Sequence, residues 1–246
     1  MGKYDAVKAV IFDLDNTLYA YDELDKKAGE NVEKFTCEKL GISRERYKEA
    51  YQYGRKETKK QLPDVGAGHN RLLYFQKALE YLDIYPMPTA MQMYEQYWGT
   101  FLRNMRLFPG VKELFRYLRK EQILIMICTD LTAHIQHRKI EALGIAEDIK
   151  YLVSSEEAGK EKPAKEVFDL CLEKLKLPPE HVWFVGDDLK KDIEGAINAG
   201  MYALHFYGAA EEEYKRNAIE HIDEDSYMEA KDFKEIENAI KRNITA

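Results

Sequence analysis

The sequence predicts an α/β fold, a doubly wound parallel sheet that carries an inserted all-helical domain. Short apolar runs recur at wide intervals, helix-like segments separate most of them, and one long stretch contains no strand pattern. The apolar runs lie at residues 6–12, 123–129, 151–155, 182–186 and 201–207. Most of these runs are continuous rather than alternating, which is typical of parallel strands that are covered on both faces.

Helix-like segments lie between the apolar runs. One segment precedes the second run, and one segment follows each of the second, third and fourth runs. They lie at residues 111–121, 134–144, 165–177 and 190–200. Each is bounded by proline or glycine on at least one side, as helices commonly are. Strands that alternate with helices of this length indicate βαβ units and a parallel sheet. The tail from residue 208 onward is interpreted as mixed helix with acidic, solvated stretches.

The stretch from residue 20 to about 107 has no convincing strand. It predicts four amphipathic helices, near residues 22–40, 43–61, 69–84 and 89–104. Its many tyrosines and other aromatics are expected to form mainly the core of a helical bundle. We therefore assign residues 1–19 and 106–246 to the α/β domain and residues 20–105 to the helical domain, with hinges near 17–21 and 105–109.

Composition excludes some classes of function. The 246 residues include 37 basic and 44 acidic side chains, for a net charge of −7, which argues against non-specific nucleic-acid binding. The three cysteines form neither a C-x-x-C pair nor a disulfide framework, so a reducing compartment is favoured. We see no signal peptide and no apolar run of about 18 residues, so a cytoplasmic location away from membranes is expected.

The stretch VIFDLDNTLY places two carboxylates, Asp13 and Asp15, at the end of a predicted buried strand. Two such charges resist desolvation unless a cation binds there or one of them holds a proton. The ends of the other strands supply further polar groups to the same edge of the sheet, where ligands bind in such folds. These groups are Thr129, Asp130, Lys160, Lys162, Asp187, Asp188 and Asp192.

As a set, these residues resemble the motifs of the haloacid dehalogenase superfamily. DLDNT fits its D-x-D-x-T signature, and Thr129, Lys162 and the run GDDLKKD match its second, third and fourth motifs. The order and spacing are similar to those of the class that has a helical cap inserted after the first motif, which includes many small-molecule phosphatases. The resemblance covers essentially the whole chain and implies a Rossmann-like core with a cap domain.

The resemblance implies a catalytic role for each motif. Asp13 would attack phosphorus and form an aspartyl-phosphate, and Asp15 would act as general acid and then as general base. Lys162 would neutralise the nucleophile and the transferring phosphoryl group, while the Thr129 hydroxyl binds a phosphate oxygen. We choose Lys162 over Lys160 because the family's lysine commonly precedes proline.

The resemblance also implies a Mg²⁺ cofactor. Its ligands would be the Asp13 carboxylate, the Asp15 backbone carbonyl and the Asp187 carboxylate, because Mg²⁺ prefers oxygen ligands. Asp188 and Asp192 would hold metal-bound waters or orient the lysine, and the sequence does not distinguish between them.

Other reactions occur on the same fold. A dehalogenase has no need of Asp15, and phosphonate cleavage requires a cap lysine in an apolar setting, which the insert does not offer. A sugar phosphomutase uses the same two aspartates and stays an alternative. A non-catalytic scaffold protein would not need Asp13, Asp15, Lys162 and Asp187 together.

The expected substrate is a small soluble phosphomonoester, either a nucleotide, a sugar phosphate or another metabolite. Asn70, Arg71 and Asp130 are the candidate substrate-binding residues. Arg71 could hold a second anionic group of the substrate, or it could lie in solvent or pair with a cap glutamate. The sequence does not determine whether the protein is a monomer or a homodimer.

Overall fold

The computed structural model describes residues 7–208 and 226–244 of the chain. These residues form one six-stranded sheet in the order β3-β2-β1-β4-β5-β6, and every neighbouring pair is parallel. The strands are β1 (Ala9–Phe12), β2 (Leu124–Thr129), β3 (Tyr151–Ser154), β4 (Val182–Gly186), β5 (Tyr202–Phe206) and β6 (Met228–Ala230). The predicted α/β class with a helical insertion is confirmed.

Both faces of the sheet are covered, as the continuous apolar runs predict. All residues of β1 and β4 are buried. Val10 and Phe12 face one apolar cluster, whereas Ala9 and Ile11 face another, because successive strand residues point to opposite sides. Phe12 lies level with Ile127 of β2 and Val185 of β4, so these three strands end side by side.

The described part of the α/β domain contains six α-helices; those that begin at Val111, Ala133 and Lys165 lie close to their predicted positions, whereas the short helix that begins at Ser155 was not predicted. The six helices are α5 (Val111–Lys120), α6 (Ala133–Leu143), α7 (Ser155–Ala158), α8 (Lys165–Leu175), α9 (Gly195–Asn198) and α10 (Phe233–Ile244). The segment predicted as one helix over 190–200 is divided, because a π-helical turn, Leu189–Glu194, precedes the short α9.

The tail departs from the prediction. It contains strand β6 before α10, although mixed helix was expected from residue 208 onward. β6 has only three residues with a glutamate in the middle, so its own sequence hardly favours a strand; its backbone is extended because it pairs with β5. The acidic residues 211–213 and 223–225 lie outside the described residues.

Four helices form the cap between β1 and α5. They are α1 (Tyr21–Leu40), α2 (Arg44–Gln61), α3 (Arg71–Tyr81) and α4 (Thr89–Asn104). α1 packs on α4 and α2 packs on α3. Tyr74, Phe75, Tyr97, Trp98 and Phe101 are buried in the bundle, as expected for its aromatics. α1 ends at Gly41, whose φ of 65° suits glycine.

The two linkers between the cap and the sheet run side by side. The backbone N–H of Phe108 donates to the Leu18 carbonyl over 2.9 Å, and Tyr19 pairs with Leu107 in an antiparallel bridge. The predicted hinges, near 17–21 and 105–109, contain these contacts. The domain limits at residues 19/20 and 105/106 stay a prediction.

Within residues 7–208 and 226–244, none of the helices combines the length and the apolar character needed to cross a bilayer. Cys37, Cys128 and Cys171 are free thiols, and Cys128 is buried within β2.

The close approach of α2 and α3 generates a stability prediction. A Cβ at Gly54 would lie 2.2 Å from the Tyr74 carbonyl oxygen and 3.0 Å from the Ala78 nitrogen. Because these are backbone atoms, Gly54→Ala must push the helices apart, and we expect it to lower the free energy of unfolding by about 1–3 kcal/mol. Urea denaturation of the purified variant measures this.

Gly29→Ala in α1 is the matched control. A Cβ there meets no atom within 4 Å, so the substitution should gain up to about 1 kcal/mol from helix propensity. A Gly54→Ala variant that unfolds at the same or higher urea concentration than the wild type would contradict the prediction.

Candidate active site

Asp13 is held at the carboxyl end of β1 in the middle of the sheet. Its backbone N–H donates to the Val185 carbonyl over 2.9 Å, which continues the ladder between β1 and β4 beyond the end of β1. The side chain is only 5% exposed. Burial raises the pKa of Asp13 to about 7; Lys162 opposes this rise and Asp192 adds to it.

Lys162 supplies the buried positive charge beside Asp13. Its Nζ lies 2.6 Å from Asp13 Oδ1 and 2.6 Å from Asp192 Oδ1, and it donates a third hydrogen bond to the Cys128 carbonyl over 3.2 Å. Burial alone would lower the pKa of Lys162, but the Asp13 and Asp192 carboxylates raise it well above its usual value. The group is therefore a charged ammonium with all three of its hydrogens used.

Asp13, Asp187 and Asp192 form a compact acidic cluster. Each places one carboxylate oxygen within 4.8 Å of the others. Gly186 permits the approach of Asp192, since a Cβ at Gly186 would lie 2.3 Å from Asp192 Oδ2. The Thr17 hydroxyl donates to Asp187 Oδ1 over 3.2 Å.

The charge in this cluster is not balanced by protein groups. Burial raises the pKa of Asp187 well above its usual value, and the Asp13 and Asp192 carboxylates add to the rise. Within the described part of the chain, no lysine or arginine forms an ion pair with Asp187, whereas Lys162 pairs with Asp13 and Asp192. Three oxygen donors with one ammonium suit a hard divalent cation such as Mg²⁺.

The structure distinguishes Asp188 from Asp192, which the sequence alone does not. Asp192 belongs to the acidic cluster and contacts Lys162. Asp188 Oδ1 instead accepts backbone N–H groups of Lys190 and Lys191 at 3.0 and 2.9 Å, so it caps the π-helical turn.

Thr129 and Asp130 lie at the end of β2. Gln136 of α6, a buried residue that the sequence analysis missed, donates to the Thr129 hydroxyl oxygen over 2.8 Å. Asp130 accepts from the Lys162 backbone N–H over 3.1 Å and pairs with the Lys191 ammonium at 2.8 Å. Asp130 therefore braces the loop that carries Lys162.

Asp15 has a partner that the sequence analysis also missed. Lys139 of α6 places its Nζ 2.8 and 2.7 Å from the two Asp15 oxygens, and the Tyr19 hydroxyl donates to Oδ1 over 2.5 Å. Lys139 is fully buried, and burial lowers its pKa while Asp15 opposes that change. A sequence signal for Lys139 does exist: its position shares one face of α6 with the apolar residues Ile135, Ile140 and Leu143, and this face is the buried one.

Asn70 and Arg71 lie where the cap helix α3 begins. Asn70 Oδ1 accepts the Leu72 N–H over 2.9 Å and caps the helix. The expectation that Arg71 could lie in solvent or pair with a glutamate is wrong. It is 8% exposed and pairs with Asp25 at 3.0 Å, since α1 and α3 enclose it, and it also donates to the Tyr21 hydroxyl over 2.6 Å.

The cap also contacts the loop that carries Lys162. The Glu161 N–H donates to the Asp64 carbonyl over 3.1 Å, and the His69 ring lies 3.0 Å from a Glu161 oxygen. A cavity of about 540 Å³ opens beside this loop. The exposed Lys160, which the sequence analysis ranked below Lys162, lines this cavity and not the acidic cluster.

Comparisons with known proteins agree with this geometry. A family model described as haloacid dehalogenase-like hydrolase matches residues 7–200. A ribulose-1,5-bisphosphate 5-phosphatase from Halopiger xanaduensis is 38% identical over 213 residues, which cover 85% of this chain and 89% of that protein. A glyceraldehyde 3-phosphate phosphatase from Methanopyrus kandleri is 31% identical over 199 residues, which cover 80% of this chain and 83% of that protein.

A solved structure shares the fold. The hydrolase YfnB from Bacillus subtilis, determined with bound magnesium, superposes with a TM-score of 0.66 at 18% identity and covers 96% of this chain and 100% of that one. The family match spans most of the chain, and the two relatives described above are both named phosphatases. The chain therefore belongs to the haloacid dehalogenase-like hydrolases, and it is an enzyme that hydrolyses phosphomonoesters.

Proposed function

We propose that this enzyme is a Mg²⁺-dependent phosphatase that hydrolyses a small sugar phosphate through an aspartyl-phosphate on Asp13. The observation that carries the proposal is the environment of Asp13. It is buried at the centre of the sheet edge, contacts the Lys162 ammonium at 2.6 Å and lies beside Asp187 and Asp192. This is the arrangement that a nucleophile for phosphoryl transfer requires.

The Asp13 and Asp187 carboxylates, together with the Asp15 backbone carbonyl, are the proposed ligands of Mg²⁺. Asp192 orients Lys162, and Asp188 supports the turn that positions Asp192. When bound, the ion supplies the positive charge that the acidic cluster lacks and that the phosphoryl oxygens need.

The protein groups then divide the chemistry. An Asp13 oxygen attacks phosphorus, the bond from phosphorus to the leaving oxygen breaks, and Asp15 gives that oxygen a proton. Asp15 next takes a proton from the water that attacks the aspartyl-phosphate, which releases phosphate and restores Asp13. Gln136 donates to the Thr129 oxygen, and the Thr129 hydroxyl itself donates to the Asp130 carbonyl only over a long 3.4 Å, so this hydrogen can turn to a phosphoryl oxygen when substrate binds.

The names of the two relatives support the proposed substrate class, and the contacts of the cap support a conformational step. The two relatives are named for phosphorylated sugars, ribulose-1,5-bisphosphate and glyceraldehyde 3-phosphate. The cap contacts the loop that carries Lys162 and packs on α6, so we propose that it opens to admit the substrate and closes to exclude water. A cytoplasmic location, and a partner that is a metabolite and not nucleic acid, stay predictions.

Asn70, Arg71 and Asp130 remain proposed substrate contacts. Arg71 is the strongest of them, because its buried Nε has no hydrogen-bond partner among the described residues. A buried guanidinium with one free donor can bind a second anionic group of a sugar bisphosphate.

Replacing the nucleophile tests the central proposal. Asp13→Asn cannot form the aspartyl-phosphate, so we expect kcat for a sugar phosphate in Mg²⁺ to fall by about 10⁴-fold or more. Release of inorganic phosphate measures turnover, and circular dichroism establishes that the variant is folded. Asp169→Asn, an exposed acid paired with Lys165, is the control with unchanged turnover.

Undiminished hydrolysis by folded Asp13→Asn would overturn the aspartyl-phosphate mechanism. Chromatography of the sugar products separates the alternatives. Free sugar and phosphate support a phosphatase, whereas transfer of the phosphoryl group to another hydroxyl of the sugar would indicate a phosphomutase.

The acidic cluster predicts how stability depends on pH and metal. The pKa of Asp13 rises from 3.8 to about 7 on folding, so the metal-free folded state binds more protons between these values. Without metal, the free energy of unfolding should therefore fall as pH rises through this window, relative to Asp13→Asn. Thermal unfolding in chelator across the same pH range measures the difference.

Mg²⁺ should reverse this loss. At about 100 times its dissociation constant it should stabilise the wild type by about 2.7 kcal/mol. At one fixed Mg²⁺ concentration, the gain should be larger near about pH 8 than near about pH 5.5, because the ligands must be deprotonated. A gain that is equal at both pH values, or equal in Asp13→Asn, would exclude Asp13 as a ligand.

Comparison of a substrate that has a second anionic group with one that lacks it tests whether Arg71 binds that group. Arg71→Met should raise KM for a sugar bisphosphate by about 10–100-fold, which corresponds to the loss of one charge-assisted hydrogen bond. KM for p-nitrophenyl phosphate, which has no second anion, should stay nearly constant. Arg46→Met, on the exposed side of α2, is the control; equal changes in KM for both esters would remove the binding role.

A further inference from the structure

The contact between Lys139 and Asp15 is not used by the chemistry described above. Lys139 belongs to α6 of the α/β domain and has no solvent exposure. Its ammonium nitrogen lies within 2.8 Å of both oxygens of the side chain that must move the proton. A buried ammonium is costly without a carboxylate partner, so the pair holds together strongly.

Aromatic rings enclose the Lys139 ammonium on its remaining sides. The distances from Nζ to the ring centroids are 5.2 Å for Tyr21, 5.6 Å for Phe101, 5.7 Å for Trp98 and 5.9 Å for Tyr19. Such rings attract a cation through their faces. Trp98 and Phe101 belong to the cap helix α4, and Tyr19 and Tyr21 lie at the first linker, so the enclosure exists only while the cap lies against α6.

Three hydrogen bonds orient the Asp15 carboxylate. Two come from Lys139, and the third comes from the Tyr19 hydroxyl. Tyr19 is fully buried, and its hydroxyl donates to the Asp15 carboxylate. A carboxylate held by donors on both oxygens has little freedom to rotate about its own bonds.

We propose that Lys139 is a positioning residue. Together with Tyr19, it fixes the orientation of the Asp15 carboxyl group, which takes a proton from the attacking water and gives a proton to the leaving oxygen in the next turnover, and the aromatic rings of the cap complete the surroundings of the Lys139 ammonium. This inference rests on the proposed function, since it assigns a support to the acid of that mechanism. It also explains why a lysine is buried at a contact between the cap and the α/β domain.

The leaving group provides a readout that a merely structural role would not change. A sugar alkoxide is a strong base and needs the proton from Asp15, whereas p-nitrophenolate leaves without one. A misplaced Asp15 should therefore slow the first step for sugar phosphates only. It should slow the second step, in which water attacks the aspartyl-phosphate, for both esters.

The variant Lys139→Met, which keeps the apolar part of the side chain, tests the positioning role in the presence of Mg²⁺. We expect kcat/KM for a sugar phosphate to fall by about 100-fold, within the range of general acid catalysis. With p-nitrophenyl phosphate, rapid mixing should show a burst of one nitrophenolate per enzyme at the wild-type rate, followed by slow turnover. Asp15→Asn should show the same pattern, and Lys150→Met, an exposed lysine beside the Tyr151 ring, should behave as wild type.

Two outcomes would overturn the positioning role. Equal losses on both esters without a burst would indicate a structural role, and a change in KM alone would indicate that Lys139 binds the substrate. If Lys139→Met does not fold, Tyr19→Phe decides, since it removes only a hydroxyl. It should lower kcat/KM for the sugar phosphate more than for the aryl ester, and an equal effect on both would overturn the proposal.

The positioning role and the proposed function fail in different ways. The proposed function fails if the wild type shows no turnover that depends on both Mg²⁺ and Asp13. The positioning role fails, with that turnover intact, if the ratio of kcat/KM for the two esters is the same in Lys139→Met and in the wild type.

Discussion

One buried ammonium group holds the active site together. Lys162 contacts Asp13 and Asp192 at 2.6 Å each and donates to the end of β2, so it joins three neighbouring strand ends through a single charge. Without it, the acidic cluster would be three buried carboxylates with no cation beside them, which is costly unless protons neutralise them. With it, three carboxylates still face a single ammonium, so the cluster lacks positive charge that a bound cation can supply. That deficit is the physical basis of the proposed metal site.

A second buried lysine extends the same principle to the cap. Lys139 neutralises Asp15 as Lys162 neutralises Asp13, but its remaining contacts are aromatic rings of the cap and the first linker. The two carboxylates of the first motif are therefore supported differently. The nucleophile depends on the α/β domain alone, whereas the acid depends on both domains. On our proposal, this makes proton transfer sensitive to the position of the cap.

The strand-end residues could be predicted from the sequence because parallel strands all end at one edge of a sheet. Asp13, Thr129 and Asp187 were found in this way, and the structure brings them to that edge. Lys139 and Gln136 could not be found by the same reasoning, because polar residues on a helix are usually solvated. The strand β6 was missed because pairing with β5, and not local propensity, makes it extended.

The sequence by itself determined the first five strands and the main helices between them, the helical insertion and the motif residues, since these depend on local patterns of apolar and polar groups. Only the tertiary structure decided that Asp192 and not Asp188 contacts Lys162, that Arg71 is buried against Asp25, and that Asp15 pairs with Lys139. The physical reason is distance along the chain. Lys139 and Asp15 are 124 residues apart, and Lys162 and Asp13 are 149 apart, so only packing of the whole domain brings these charges together.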